Sequence, residues 1–135
     1  MKERPLVKKL FHISMVDLGD KIKMKPRVPK NRADGPGQQH PYSGRIVSED
    51  GKMPRICVAP TLRGCIRALC ESGDFYVYQP IRPTYVSKDL PRMLVEDAKE
   101  TGERWILRPV TFKKIGRIRT TSYALKGKWK WIEKY

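Results

Sequence analysis

The chain has 135 residues, the size of one ordinary domain, and carries 29 Lys and Arg against 14 Asp and Glu for a formal net charge of +15. At 39% hydrophobic and 32% charged it is polar for a globular protein, yet too rich in Val, Ile, Leu and aromatic residues to remain disordered. So large a positive field implies a polyanionic partner held in a salt-dependent way: RNA, DNA or an acidic protein surface.

Read from the N-terminus, Leu6, Val7, Leu10, Phe11 and Ile13 form a short apolar run with lysines inside it, the pattern of a first strand with one buried face. His12 and Ser14 then share the other face, where a ring nitrogen and a hydroxyl suit directed hydrogen bonds to a ribose or an amide. The plain alternative is a structural histidine at the half-polar edge of a strand. Beyond Leu18 the chain becomes dense in Pro, Gly, Asn and basic residues, and prolines 26, 29, 36 and 41 predict a long irregular loop over about residues 20–53. Within that loop Arg27, Lys30 and Arg32 are candidates to clamp phosphates.

PRICVAPTLRGCIRALCESGD predicts a short buried strand over residues 55–59 and then a helix capped by Thr61 and stopped near Gly73. Leu62, Cys65, Ile66 and Leu69 recur at helical spacing and point to the core, while Arg63 and Arg67 lie on the outer face as further phosphate candidates. DFYVYQPIRPTYV alternates apolar and polar groups, and Pro80 and Pro83 place this strand at a sheet edge or end it in a turn. RWILRPVTF and KKIGRIRTTSYAL supply two more strand-like runs, making about five strands and one main helix. In the basic aromatic tail, residues 126–135, Lys128 and Lys130 alternate with Trp129 and Trp131. As a strand, this tail puts both tryptophans on one face, either stacking on bases or anchoring the tail to the core.

Cys57, Cys65 and Cys70 lack metal-ligand spacing and are an odd number, so reduced core thiols are expected, with no metal. No apolar run reaches the roughly 20 residues of a membrane span, and a secretory leader is not evident, so a cytoplasmic protein without a membrane partner is expected.

Three motifs together, FHIS, PRICVAPTLRGCIRAL and TGERWILRPVTF, resemble the ADP-ribosyltransferase-like fold, including its RNA 2'-phosphotransferase branch. The pattern HIS, LGD, PRICVAP, FYVY and TGE is also similar to small phage and bacterial proteins, a likeness that carries no activity with it. The first resemblance implies an α+β fold in a single domain spanning residues 1–135, with NAD as cofactor. It makes His12 the histidine that holds the adenosine ribose, Ser14 the hydroxyl beside it, and Arg55 the arginine leading the second motif toward phosphate. Glu103 is then the catalytic carboxylate facing an oxocarbenium-like transition state, a task suited to a preorganised negative charge. The chain departs from the family in having Thr101 and Gly102 where an upstream Glu or Gln is expected, and Tyr76, Tyr78 and Tyr85 all compete for the family's tyrosine. The expected function is a phage-encoded transferase that binds NAD and acts on a host nucleic acid or protein. The alternative is a noncatalytic basic protein that binds nucleic acid or an acidic host protein.

Overall fold

The computed structural model describes residues 4–7, 9–27, 38–39, 46–47, 54–69, 73–87, 91, 102–120 and 128–135. In chain order these form β1 (Arg4–Val7), β2 (His12–Ser14), β3 (Lys21–Met24), β4 (Gln38–Gln39), β5 (Ile46–Val47), β6 (Ile56–Val58), α1 (Leu62–Leu69), β7 (Gly73–Pro80), β8 (Thr84–Val86), β9 (Arg104–Ile106), β10 (Val110–Thr120) and β11 (Trp129–Lys134). With eleven strands and one helix of barely two turns among the described residues, the α+β expectation is overturned: this is a mostly β protein.

Its principal sheet runs β11-β10-β7-β2, with β3 also on β10. All of these pairings are antiparallel. The 11-residue β10 is the spine: β7 lies along one side, while β3 takes the lower half of the other side and β11 the upper half. A second group of strands consists of the pairs β1-β8 and β6-β9, bridged where Ser87 and Trp105 exchange backbone hydrogen bonds of 2.7 and 3.0 Å. Two further bridges, Phe11 to Ala59 and Arg27 to Arg55, tie this group to the chain flanking β2 and β3.

The period-two alternation of β7 builds two cores. Phe75 and Val77 join Ile13, Ile118 and the α1 residues Leu62, Cys65 and Ile66 on one face of the sheet. On the other, Tyr78 and Phe112 pack with Ile56, Val58, Val86 and Ile106 from the second group of strands. Each large apolar side chain so buried contributes on the order of 1.5–3 kcal/mol. A bulge between Lys114 and Gly116 resets the alternation of β10, so that Phe112 and Ile118, both fully buried, serve opposite cores.

The helix follows the sequence closely, since Thr61 Oγ1 accepts the Gly64 N–H at 3.0 Å as an N-cap and Leu62, Cys65 and Ile66 are buried. Other elements differ. The N-terminal run divides into β1 and β2, and the segment expected to be irregular from residue 20 opens with β3 and contains the short β4-β5 pair. Of the two alternatives for β7, a sheet edge is excluded, since the strand lies between β10 and β2, and an end in a turn holds, since Pro80 is its last residue and the chain turns before β8. The tail is a true strand, and its tryptophans, in edge-to-face contact at 6.0 Å, pack against the helix-side core. This packing anchors the tail to the helix-side core.

Candidate functional site

Antiparallel pairing sets Cys57 of β6 opposite Trp105 of β9, and the three sequence motifs meet around this pair. His12, brought alongside by β2, donates from Nδ1 to the Cys57 carbonyl at 2.8 Å, which leaves Nε2 as the acceptor nitrogen of a neutral ring. Burial holds its pKa below the usual histidine value; the backbone bond opposes that shift and the nearby Arg27 charge adds to it. Arg55 stacks its guanidinium over the Trp105 indole at 4.2 Å, and both residues are fully buried. Glu103 is 3% exposed, and one carboxylate oxygen accepts the Trp105 indole N–H at 2.5 Å.

Just before it, Gly102 adopts a left-handed φ of +74°, which turns the chain ahead of Glu103, and Arg104 secures that turn by donating to the Gly102 and Glu103 carbonyls. Cys65, also near Glu103, is a buried thiol pushed up to about 12 by desolvation, with the Cys57 and Glu103 charges reinforcing the rise. It donates to the Phe11 carbonyl at 3.3 Å and is an inert core group at neutral pH.

The structure therefore gathers His12, Arg55 and Glu103 in one neighbourhood but sets Ser14 apart. The Ser14 hydroxyl closes a surface turn, donating to the Val16 carbonyl at 2.9 Å and accepting its N–H at 3.1 Å. Of the three tyrosines, Tyr78 is buried and accepts the Leu18 N–H, Tyr85 is exposed, and Tyr76 is half-buried beneath Lys114 and Arg117. Among the described residues no three His, Cys, Asp or Glu side chains gather as around a metal ion.

The cations fall into two sets. On one face of the principal sheet, Lys114 meets Asp17 at 2.8 Å and Asp20 at 3.6 Å, Arg117 meets Glu133 at 3.2 Å, and Arg119 holds Asp74 through two bonds of 2.7 and 3.1 Å. These pairs keep the Asp17 and Asp74 carboxyls below the usual range, chiefly through the hydrogen bonds from Lys114 and Arg119.

The second set lies on the opposite face of the lower sheet. Lys21 of β3 stands directly across from Lys113 of β10, Lys23 is the next residue on the same face, and all three are exposed. Lys25 and Arg27, just beyond the end of β3, are exposed too. Among the described residues no carboxylate pairs with any of these five side chains.

Of the other phosphate candidates, Arg63, Lys128 and Lys130 are exposed, and Arg67 is half-buried. Lys30 and Arg32, like Cys70, lie outside the described residues. Sequence reasoning singled out Arg27 but missed the grouping of Lys21, Lys23 and Lys113. The signal was present, because lysines at 21, 23 and 25 alternate with period two, yet the prolines that follow masked the strand. No helix among the described residues is long and apolar enough to cross a membrane.

Compared with models of known protein families, with curated proteins and with solved structures, the chain matches none. The resemblance to ADP-ribosyltransferases thus rests on the three motifs alone.

Proposed function

We propose that this protein binds nucleic acid through its phosphate backbone and works by binding rather than by catalysis. One observation carries the reading: the exposed group Lys21, Lys23 and Lys113, with Lys25 and Arg27 exposed just beyond β3, has no carboxylate partner among the described residues, whereas the cations of the opposite face are paired. Exposed lysines facing one another cost stability unless an anion lies between them. A polyanion supplies that charge, and its bound counterions leave as it docks.

The proposal is tested by titrating the protein into a labelled oligonucleotide at increasing salt. Binding whose logarithm falls linearly with log salt, with a slope set by about four phosphate contacts, supports it. No binding even at low salt overturns it.

A second reading, a transferase that uses NAD through Glu103, is favoured by the meeting of His12, Arg55 and Glu103 around Cys57 and Trp105. Against it weighs the engagement of each group: His12 by a backbone carbonyl, Arg55 by the indole face and Glu103 by the indole N–H. NAD cleavage by the wild-type protein, abolished in Glu103→Gln, would establish this reading; its absence leaves the binding reading in possession.

A further inference from the structure

The facing pair Lys21 and Lys113 is more specific than a charged surface. Directly opposed residues of an antiparallel ladder hold their Cβ atoms about 4.5–5.5 Å apart, and the diagonal neighbour sits at about 7–8 Å. Lys23 is that diagonal neighbour of Lys113, so three flexible ammonium groups can close on a single point above the sheet. Their neighbours on this face are neutral hydrogen-bonding groups: Thr111 opposite Lys23 and Gln79 opposite Lys113. Helix α1 covers this face farther up, over Phe75, Val77 and Ile118, and that core does not extend to Gln79 or Lys113.

From this placement we infer that Lys21, Lys23 and Lys113, with Thr111 and Gln79 as neutral donors, form a discrete phosphate-binding clamp. The inference deepens the nucleic-acid reading and rests on it for the source of the phosphate. The chemistry of the site alone specifies a tetrahedral oxyanion bearing at least one negative charge. Three point-charge donors on flexible stems fit such a group, while a planar carboxylate is better met by an arginine fork.

The clamp has a signature that a merely solvated surface lacks. Because Lys113 and Lys21 repel in the free protein, removing one charge relieves the fold and disables the site in the same step. A structural lysine would lose stability when replaced, and an idle one would change neither property.

Lys113→Gln is therefore compared with the wild type in two assays at matched ionic strength: melting temperature with chloride or with inorganic pyrophosphate, and affinity for a labelled oligonucleotide. The clamp predicts that pyrophosphate raises the wild-type melting temperature. It predicts that Lys113→Gln melts higher than wild type in chloride, loses the pyrophosphate increment, and binds the oligonucleotide several-fold more weakly with a salt slope smaller by about one. A variant that melts lower in chloride, or that keeps the pyrophosphate increment, overturns the clamp. A wild type that responds to pyrophosphate but ignores the oligonucleotide upholds the clamp and overturns the nucleic-acid reading instead.

Discussion

Lys113 and Lys114 are adjacent in β10, yet their side chains leave opposite faces of the sheet and meet opposite surroundings. Lys114 is 7% exposed, bonded to Asp17 and close to the rings of Tyr76 and Tyr78. Lys113 is exposed and faces another lysine. The same contrast divides the whole sheet, with Arg117 and Arg119 tied to Asp74 and Glu133 on the face of Lys114, and Lys21 and Lys23 on the face of Lys113. Net charge alone therefore misleads: on the first face cations hold strands together, and on the second no carboxylate among the described residues pairs with them.

The largest effect that sharpens this contrast is on binding. Replacing Lys21, Lys23 and Lys113 together by Gln is expected to abolish most oligonucleotide affinity, on the order of 10²-fold at low salt, since each lost phosphate contact removes close to one unit of salt slope. Arg119→Gln, on the paired face, is expected to change affinity little. Equal losses in the two proteins, measured by fluorescence anisotropy, would erase the distinction between the faces.

Next comes a backbone change that loosens the β10-β11 pairing and leaves β3 in place. A Cβ at Gly116 would stand 2.7 Å from the Trp131 ring and collide with the Glu133 carbonyl, so β11 can lie against β10 only where that side chain is missing. Gly116→Val is expected to destabilise the fold by about 1–3 kcal/mol through overpacking. Because β3 is untouched, the folded fraction should keep its oligonucleotide affinity, and chemical denaturation together with binding at low temperature checks both.

A smaller pair of effects has opposite signs. Lys114→Gln leaves Asp17 and Asp20 without their cation and should lower the melting temperature, while Lys113→Gln should raise it. The Lys114 pKa is raised, first by its bond to Asp17, so its stabilisation is complete below the ordinary lysine value and is lost as pH climbs through the elevated one. Melting curves should accordingly converge for wild type and Lys114→Gln only in strong alkali.

The smallest effect concerns His12. Its folded pKa is lowered by burial, so below about 6.5 the unfolded chain takes up a proton that the folded chain refuses, and stability falls as pH drops from there toward the folded value. Wild type should lose more melting temperature between pH 7.5 and 5.5 than His12→Gln. Equal losses would mean the ring is accessible and free to titrate.

What was legible in the sequence was local. Thr61, the Leu62, Cys65 and Ile66 spacing and the ICV strand are set by neighbours a few residues away, and α1 and β6 formed as expected. What was hidden depends on pairing across long separations. Strand β3 borrows its order from β10, about 90 residues later, and so survives the prolines beyond it. The motifs HIS, PRICVA and TGE were legible as neighbours in space, because β2, β6 and β9 do adjoin. Their tasks were not legible, since only the fold reveals that Ser14 closes a turn and that Glu103 and Arg55 flank an indole.

The most direct measurement is a map of backbone amide shifts on the folded protein as a short oligonucleotide is added. If the unpaired face is the binding surface, the largest changes will fall on Lys21 to Met24 and Val110 to Lys113, and will vanish at high salt. Changes centred instead on Tyr76, Arg117 and Arg119, or none at all, would contradict the account.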